Sequence, residues 1–159
     1  MQRELVLLLG SNIEPQQNII RAIEELKKHF SIAAVSSVWQ SHPVGGLGGD
    51  YHNLAVAITT DKPVSEIKDV YIHPIEQELG RVRTDEKNAP RTIDIDVILD
   101  EENVIDAKLW RYAFIAIPVS QLKPGLVSPV HGQTLRDFAD GLKKVSWLWE
   151  LPAYPLDLS

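Results

Sequence analysis

From Ile93 to Leu99 the chain reads Ile-Asp-Ile-Asp-Val-Ile-Leu, acids alternating with apolar residues before an apolar finish. A period of two is the pattern of a strand with one face against a core. It sends Ile93, Ile95 and Val97 to one side and Asp94 and Asp96 to the other. Two like charges then stand roughly 6–7 Å apart on an otherwise apolar strand. Left alone they repel, and in apolar surroundings one of them tends to stay protonated. Two arrangements resolve the conflict. Either the acidic face is simply solvated, or both carboxylates share hard cations through their oxygens.

The residues leading into the strand bear on that choice. Arg81, Arg83, Lys87 and Arg91 crowd into the segment just before it, against only Asp85 and Glu86. A carboxylate pair for Mg²⁺ beside several guanidiniums suits phosphoryl transfer, where charge on the moving phosphate must be neutralised as it develops. The basic residues could instead be a solvated loop in an acidic chain, whose formal net charge is −6, but phosphate chemistry is the preferred reading. No phosphate-cradling glycine loop is present. "LGSN" (9–12) and "GGLGG" (45–49) both lack the lysine and hydroxyl of that motif. The five histidines, at 29, 42, 52, 73 and 131, follow no triad or zinc-ligand spacing.

With 159 residues the chain is read as one domain, 1–159, long enough for its own core. Its acidity argues against a nucleic-acid partner, which needs a basic face. It has no cysteine, which excludes disulfides, thiol catalysis and thiolate zinc sites. The apolar run before Gly10 is only five residues, too short for a signal segment or a membrane span. The expectation is a cytoplasmic protein without membrane contact, a monomer or weak homo-oligomer.

Residues 4–10 read as a buried strand. Residues 15–30 read as a helix burying Ile19, Ala22, Ile23, Leu26 and Phe30. Strands over 31–41 and 51–60 flank "HPVGGLGGD" (42–50), a glycine-rich loop. Residues 63–79 have helical spacing, with Pro74 expected to kink or break the helix and Gly80 to cap it. With the acidic strand the order is β-α-β-β-α-β, an α+β ferredoxin-like sandwich. Beyond Asp100, "NVIDAKLW" (103–110) and "YAFIAIPV" (112–119) read as two extra short strands and 134–142 as a short helix. The aromatic, proline-rich tail 147–159 is expected to lie against the body without forming an element.

"LLLGSN", "DYHNLAVAI", "IEQELGRVR" and above all "APRTIDIDVIL", in that order, resemble the 6-hydroxymethyl-7,8-dihydropterin pyrophosphokinases of folate biosynthesis. The resemblance runs from about residue 5 to 100, more weakly to about 136, and implies the same ferredoxin-like fold. It implies Mg²⁺-dependent transfer of pyrophosphate from ATP to the hydroxymethyl oxygen of the reduced pterin, releasing AMP. By position, Asp94 and Asp96 would bind two Mg²⁺ ions, and Arg81 and Arg91 would contact phosphates as catalytic residues. Arg83 would assist from the same loop, and Glu76 would stand near the nucleotide. Ser41, Pro43, Val44, Tyr51 and Asn53 would form the pterin pocket, with Phe114 stacking on the pterin ring.

The chain departs from the family pattern in three places. "KNAPR" has no aromatic residue before Pro90, "VIDAKLWRYAF" lacks the family's Pro-His-Pro stretch, and Tyr112 stands where an arginine is usual. Arg111 is adjacent, but on the strand expected there it would point to the opposite face. All three departures fall on the ATP side. They leave open a divergent homologue with another hydroxyl acceptor, or a pterin- or nucleotide-binding module without the transfer.

Overall fold

The computed structural model describes residues 1–82, 85–86 and 88–157. Strand β1 (Arg3–Ser11) runs into helix α1 (Pro15–His29), followed by β2 (Ser31–Val35), β3 (Val38–Ser41) and β4 (Tyr51–Thr60). A helical run then passes through α2 (Val64–Glu66), a π-helical stretch Ile67–Ile72 and α3 (His73–Glu78). The acidic strand is β5 (Asp94–Asp100), paired at its far end with the two-residue β6 (Asn103–Val104). Helices α4 (Ala113–Leu122) and α5 (Leu135–Lys143) and strand β7 (Leu148–Leu151) complete the order. Every pairing is antiparallel, and the path across the sheet is β6-β5-β1-β4-β3-β7, with β2 also paired to β4. This is the expected ferredoxin-like arrangement. No helix among the described residues is long and apolar enough to cross a membrane.

Alternation along β1 divides the interior. Leu5, Leu7 and Leu9 join Leu54, Val56, Ile95 and Val97 in a core closed by Ile19, Ile23 and Leu26 of α1 and by Ile72, Ile75 and Leu79. Val6 and Leu8 join Ala55, Ala57 and Ile98 on the opposite face, beneath Ile115, Ala116 and Val119 of α4 and Leu135 of α5. The sheet is therefore covered on both faces, a third layer that the element order did not announce.

The strand expected over 31–41 is split into β2 and β3. Ser36 donates its N–H to Ala55 O (2.9 Å), and its hydroxyl accepts the Ala55 N–H (2.8 Å). A side chain thus replaces a carbonyl in the ladder, and pairing resumes one residue out of register, Val35 opposite Val56 but Trp39 opposite Asn53.

Pro74 does not end the helical run, which passes through a π-helical stretch, Ile67–Ile72, into α3. A proline cannot donate to the carbonyl four residues back and clashes with it. The chain relieves this by widening the preceding turn, so that the His73 N–H reaches Lys68 O, five residues back.

The C-terminal third departs from its expectation. Only Asn103–Val104 of the first predicted strand pairs, before a 3₁₀ turn over Ala107–Trp110. "YAFIAIPV" is mostly helix α4. It is buried over most of its length, so it carries no polar face to reveal its period, and a short apolar run reads equally as strand or helix. The tail does lie against the body, Tyr154 and Leu156 packing on the first core, but Leu148–Leu151 also pairs with β3 as an edge strand.

Removing the Ser36 hydroxyl would leave the buried Ala55 N–H without its acceptor. Ser36→Ala is expected to lower unfolding stability by about 1–3 kcal/mol, read from the midpoint of urea denaturation.

Candidate functional site

Register gathers the predicted residues. Gly10 of β1 lies opposite Asp94 of β5 on one side and Asn53 of β4 on the other, and Asn53 lies opposite Trp39 of β3. One row thus crosses four strands at about 4.8 Å per step, which puts Asp94 and Asn53 about 10 Å apart. Leu8 is opposite Asp96 and Ser41 opposite Tyr51. By alternation all of these face the α4 side, in line with Leu8, Ala55 and Ile98 and just past the residues α4 covers.

At the β5 end, charge is tightly paired. Arg81, placed directly after Gly80 (φ 86°) ends the helical run, donates from Nη1 to both Glu76 Oε2 and Asp94 Oδ1, the latter at 2.8 Å. Arg91 Nη1 donates to Asp94 Oδ2 at 3.0 Å. Glu76 is 3% exposed and also accepts the Ile95 N–H at 3.0 Å, on the edge of β5 turned away from β1. Burial raises the Glu76 carboxyl above its ordinary range, against the pull of Ile95 and Arg81. Among the described residues no arginine pairs with Asp96 in this way. Burial, and then the charge of Asp94 beside it with smaller contributions from Asp106 and Glu76, pushes Asp96 up to about 7.

A cavity of about 320 Å³ opens along this edge, lined on its polar side by Lys68, His73, Glu76, Arg81, Asp94, Asp96 and Asp106. Oxygen donors from two carboxylates suit a hard cation such as Mg²⁺, and a carboxylate held near 7 by its neighbours' charge is the group a cation would relieve. Among the described residues no third acid or histidine completes an all-protein cage. The remaining ligands would be phosphate oxygens and water, the usual habit of Mg²⁺.

At the other end of the row, buried Asn53 donates from Nδ2 to Ser41 Oγ at 2.9 Å. Its Oδ1 lies over Gly10, 3.0 Å from where a Cβ would stand. Gly10 is thus a floor without a side chain between the acidic and amide ends. Tyr51 is half-buried, and burial raises its hydroxyl pKa. Pro43 and Val44 lie in the loop just beyond β3, Val44 exposed.

Phe114 is not on a strand. It opens α4, packs on the second core and stacks on Tyr112 (5.2 Å between centroids, 29° between planes). The strand argument that turned Arg111 away therefore lapses, and its guanidinium lies 5.2 Å from the centre of the Tyr112 ring. Arg83, also predicted here, and Lys87 lie outside the described residues.

Three features escaped the sequence reading. Gly10 was part of a motif but had no role. Lys68 and His73 reach the cavity through the widened helical turn. Asn12 joins the segment before β5 to the glycine-rich loop, accepting the Arg91 N–H on Oδ1 (2.8 Å) and donating from Nδ2 to Gly49 O (3.2 Å). The spacing of Asn12 from Arg91 in sequence offers no signal for that bond.

The sequence model of the family described as 7,8-dihydro-6-hydroxymethylpterin-pyrophosphokinase (HPPK) matches residues 6–124. The chain is 31% identical over 141 residues to a 2-amino-4-hydroxy-6-hydroxymethyldihydropteridine pyrophosphokinase of Pseudomonas aeruginosa, covering 81% of this chain and 86% of that protein. It is 32% identical over 134 residues to the folic acid synthesis protein FOL1 of Dictyostelium discoideum, covering 77% of this chain but only 20% of that longer protein. In structure it is similar to an HPPK-DHPS triple mutant of Plasmodium falciparum, with a TM-score of 0.69 at 12% identity, over 91% of this chain and 45% of that one.

The raised Asp96 carboxyl carries a pH dependence. Its folded-state value of about 7 exceeds the ordinary 3.8, so the cation-free protein loses stability through this group as pH rises across that window. Mg²⁺ held by Asp96 must displace the same proton, so its affinity is expected to weaken about fivefold from pH 7 to pH 6, more steeply below that, and to level off well above 7. Calorimetric titration with Mg²⁺ at several pH values measures this, and a flat profile would exclude Asp96 as a ligand.

Proposed function

The chain belongs to the 7,8-dihydro-6-hydroxymethylpterin-pyrophosphokinase family, whose reaction moves pyrophosphate from ATP to the hydroxymethyl group of 6-hydroxymethyl-7,8-dihydropterin in folate synthesis, and we propose that this chain performs it with Asp94 and Asp96 as its metal-holding pair. The observation that carries the reading is the row Asp94–Gly10–Asn53. It sets an arginine-flanked acidic end and a buried amide end about 10 Å apart on one sheet face, with Gly10 contributing no side chain of its own beneath the Tyr51 ring.

Asp94 and Asp96 hold the cation, two ions in this reading. Bound Mg²⁺ would supply charge neutralisation across the ATP phosphates. Both oxygens of Asp94 are occupied by arginines, at 2.8 Å and 3.0 Å. In catalysis Arg81 and Arg91 would exchange that carboxylate for phosphate oxygens. Such an exchange keeps each guanidinium paired throughout, so little desolvation is lost on the way. Glu76 accepts from the same Arg81 Nη1 and, through its bond from the Ile95 N–H, ties that arginine to the β5 edge. Lys68 and His73, lining the same cavity, offer further positive or hydrogen-bonding groups for the nucleotide where the family's later histidine is missing. Arg83 keeps its expected part in nucleotide binding.

The pterin's amide-like edge would bond to Asn53, whose Oδ1 remains turned over Gly10 while its Nδ2 is engaged by Ser41. Tyr51, Pro43 and Val44 would wall the ring, and Phe114 would offer an aromatic face from the start of α4. No side chain among the described residues is assigned as a general base for the hydroxyl. Positioning and electrostatic stabilisation carry the rate, as in phosphoryl transfer generally.

Incubation with ATP, Mg²⁺ and the reduced pterin should release AMP stoichiometrically with the pyrophosphorylated pterin. Asp94→Asn and Asp96→Asn are each expected to cut that rate by about 10²-fold or more while the circular dichroism spectrum stays unchanged. Absence of AMP from folded protein, or full activity in the double variant, would refute the assignment.

The floor is tested separately. In Gly10→Ala the new methyl group meets Asn53 Oδ1 at 3.0 Å, and Ser41 prevents the amide from turning away. The KM for the pterin should rise about tenfold or more, with the KM for ATP nearly constant.

A further inference from the structure

The last strand lies beyond residues 6–124, the part matched by the family's sequence model, yet it reaches the loop that leads into the acceptor pocket. In β7, Leu148 pairs with Ser41 and Trp149 with Gln40. Alternation then divides the segment. Leu148 packs with Trp39, Ile117 and Ala139 on the α4 side of the sheet. Trp147 and Trp149 therefore emerge on the other face. There the His42 ring lies against Trp147, with centroids 3.1 Å apart and planes at 19°, and Trp149 stands edge-on to the same histidine. The two tryptophans keep 44% and 37% of their surface exposed, so core burial does not account for their presence.

His42 is held from a second direction. Its Nδ1 lies 3.1 Å from Asp50 Oδ1, while Gln40 Nε2 donates to Asp50 Oδ2 at 3.0 Å. The glycine-rich loop thus begins and ends in one cluster, His42 at its start and Asp50 at its end. Between them Gly45, Gly46 and Gly48 all have positive φ. A segment so rich in glycine loses much conformational freedom when ordered, so its shape depends on what holds its base. The next two residues after His42 are Pro43 and Val44, which wall the pterin in the functional reading above.

We propose that Trp147, supported by Trp149, is a positioning residue for the acceptor: by stacking on His42 from the sheet face opposite the substrate, it holds Pro43 and Val44 in their pocket-forming arrangement. The inference rests on that functional reading. Trp147 touches neither substrate, so its removal acts on acceptor affinity and spares the chemical step.

The test uses the full chain with Trp147→Leu, Trp147→Phe and His42→Ala. Trp147→Leu should raise the KM for 6-hydroxymethyl-7,8-dihydropterin about three- to tenfold, the range an aromatic pair is worth. The KM for ATP and kcat should stay within about twofold, and Trp147→Phe should recover most of the loss. Independently of turnover, His42→Ala should change the tryptophan emission of the ligand-free chain, and change it less in a chain already carrying Trp147→Phe, where only the edge-on Trp149 still faces His42. An unmoved acceptor KM in an active Trp147→Leu protein, a parallel change in kcat and both KM values, or emission indifferent to His42 would each overturn the proposal. Absence of turnover in the unsubstituted chain would instead overturn the functional reading on which it stands.

Discussion

The ion pairs around Asp94 support both the fold and the site. Two adjacent carboxylates on a strand inserted beside β1 would be a heavy electrostatic load if both had to be charged and unpaired. Arg81 and Arg91 take up both oxygens of the first, and the second is driven towards neutrality at about pH 7. The same two arginines draw the ends of the segment between α3 and β5 onto the sheet. Glu76 completes the arrangement by taking the Ile95 N–H at the edge of β5, where no strand pairs. On the proposed reading, the folded but ligand-free chain already holds Arg81 and Arg91 close to where phosphate would lie, a form of preorganisation.

A second dependence runs across the sheet. Asn12 bonds to the backbone of Arg91 and of Gly49, so the phosphate side and the acceptor loop share one buried residue. Gly48, with φ of 79°, rests where a Cβ would stand 2.7 Å from the Pro90 ring, and Gly45 rests against Asn88. The glycines of the acceptor loop therefore serve close packing against the segment that carries Arg91 as well as turning. These contacts tie the two loops to each other. Such coupling suits a reaction in which both substrates must be aligned before transfer.

The C-terminal region contributes more than the sequence reading assigned to it. Helix α4 roofs the sheet face on which the site lies and determines where that face becomes free. Strand β7 extends the sheet past β3 and brings two tryptophans to the base of the acceptor loop. Neither role follows from local pattern. Residues 113–119 are apolar on every side, so they carry no periodicity to separate helix from strand, and the pairing of Leu148 with Ser41 joins segments far apart in the chain.

The legible parts of this protein were those where one physical signal acts over a few residues. Strict alternation over 93–97 determined that Asp94 and Asp96 share a face, and helical spacing determined the buried side of α1. Clustering of Arg81 and Arg91 just before the acids was enough to expect them beside Asp94, because opposite charges near in sequence are readily held near in space. Tertiary structure alone decided the rest. It chose which arginine neutralises which acid, turned Lys68 and His73 into the cavity by widening a turn ahead of Pro74, and made Gly10 a floor by setting it between Asp94 and Asn53. Those outcomes depend on register and on packing between distant segments, and a single residue's slip along a strand would reverse them while leaving every local pattern unchanged.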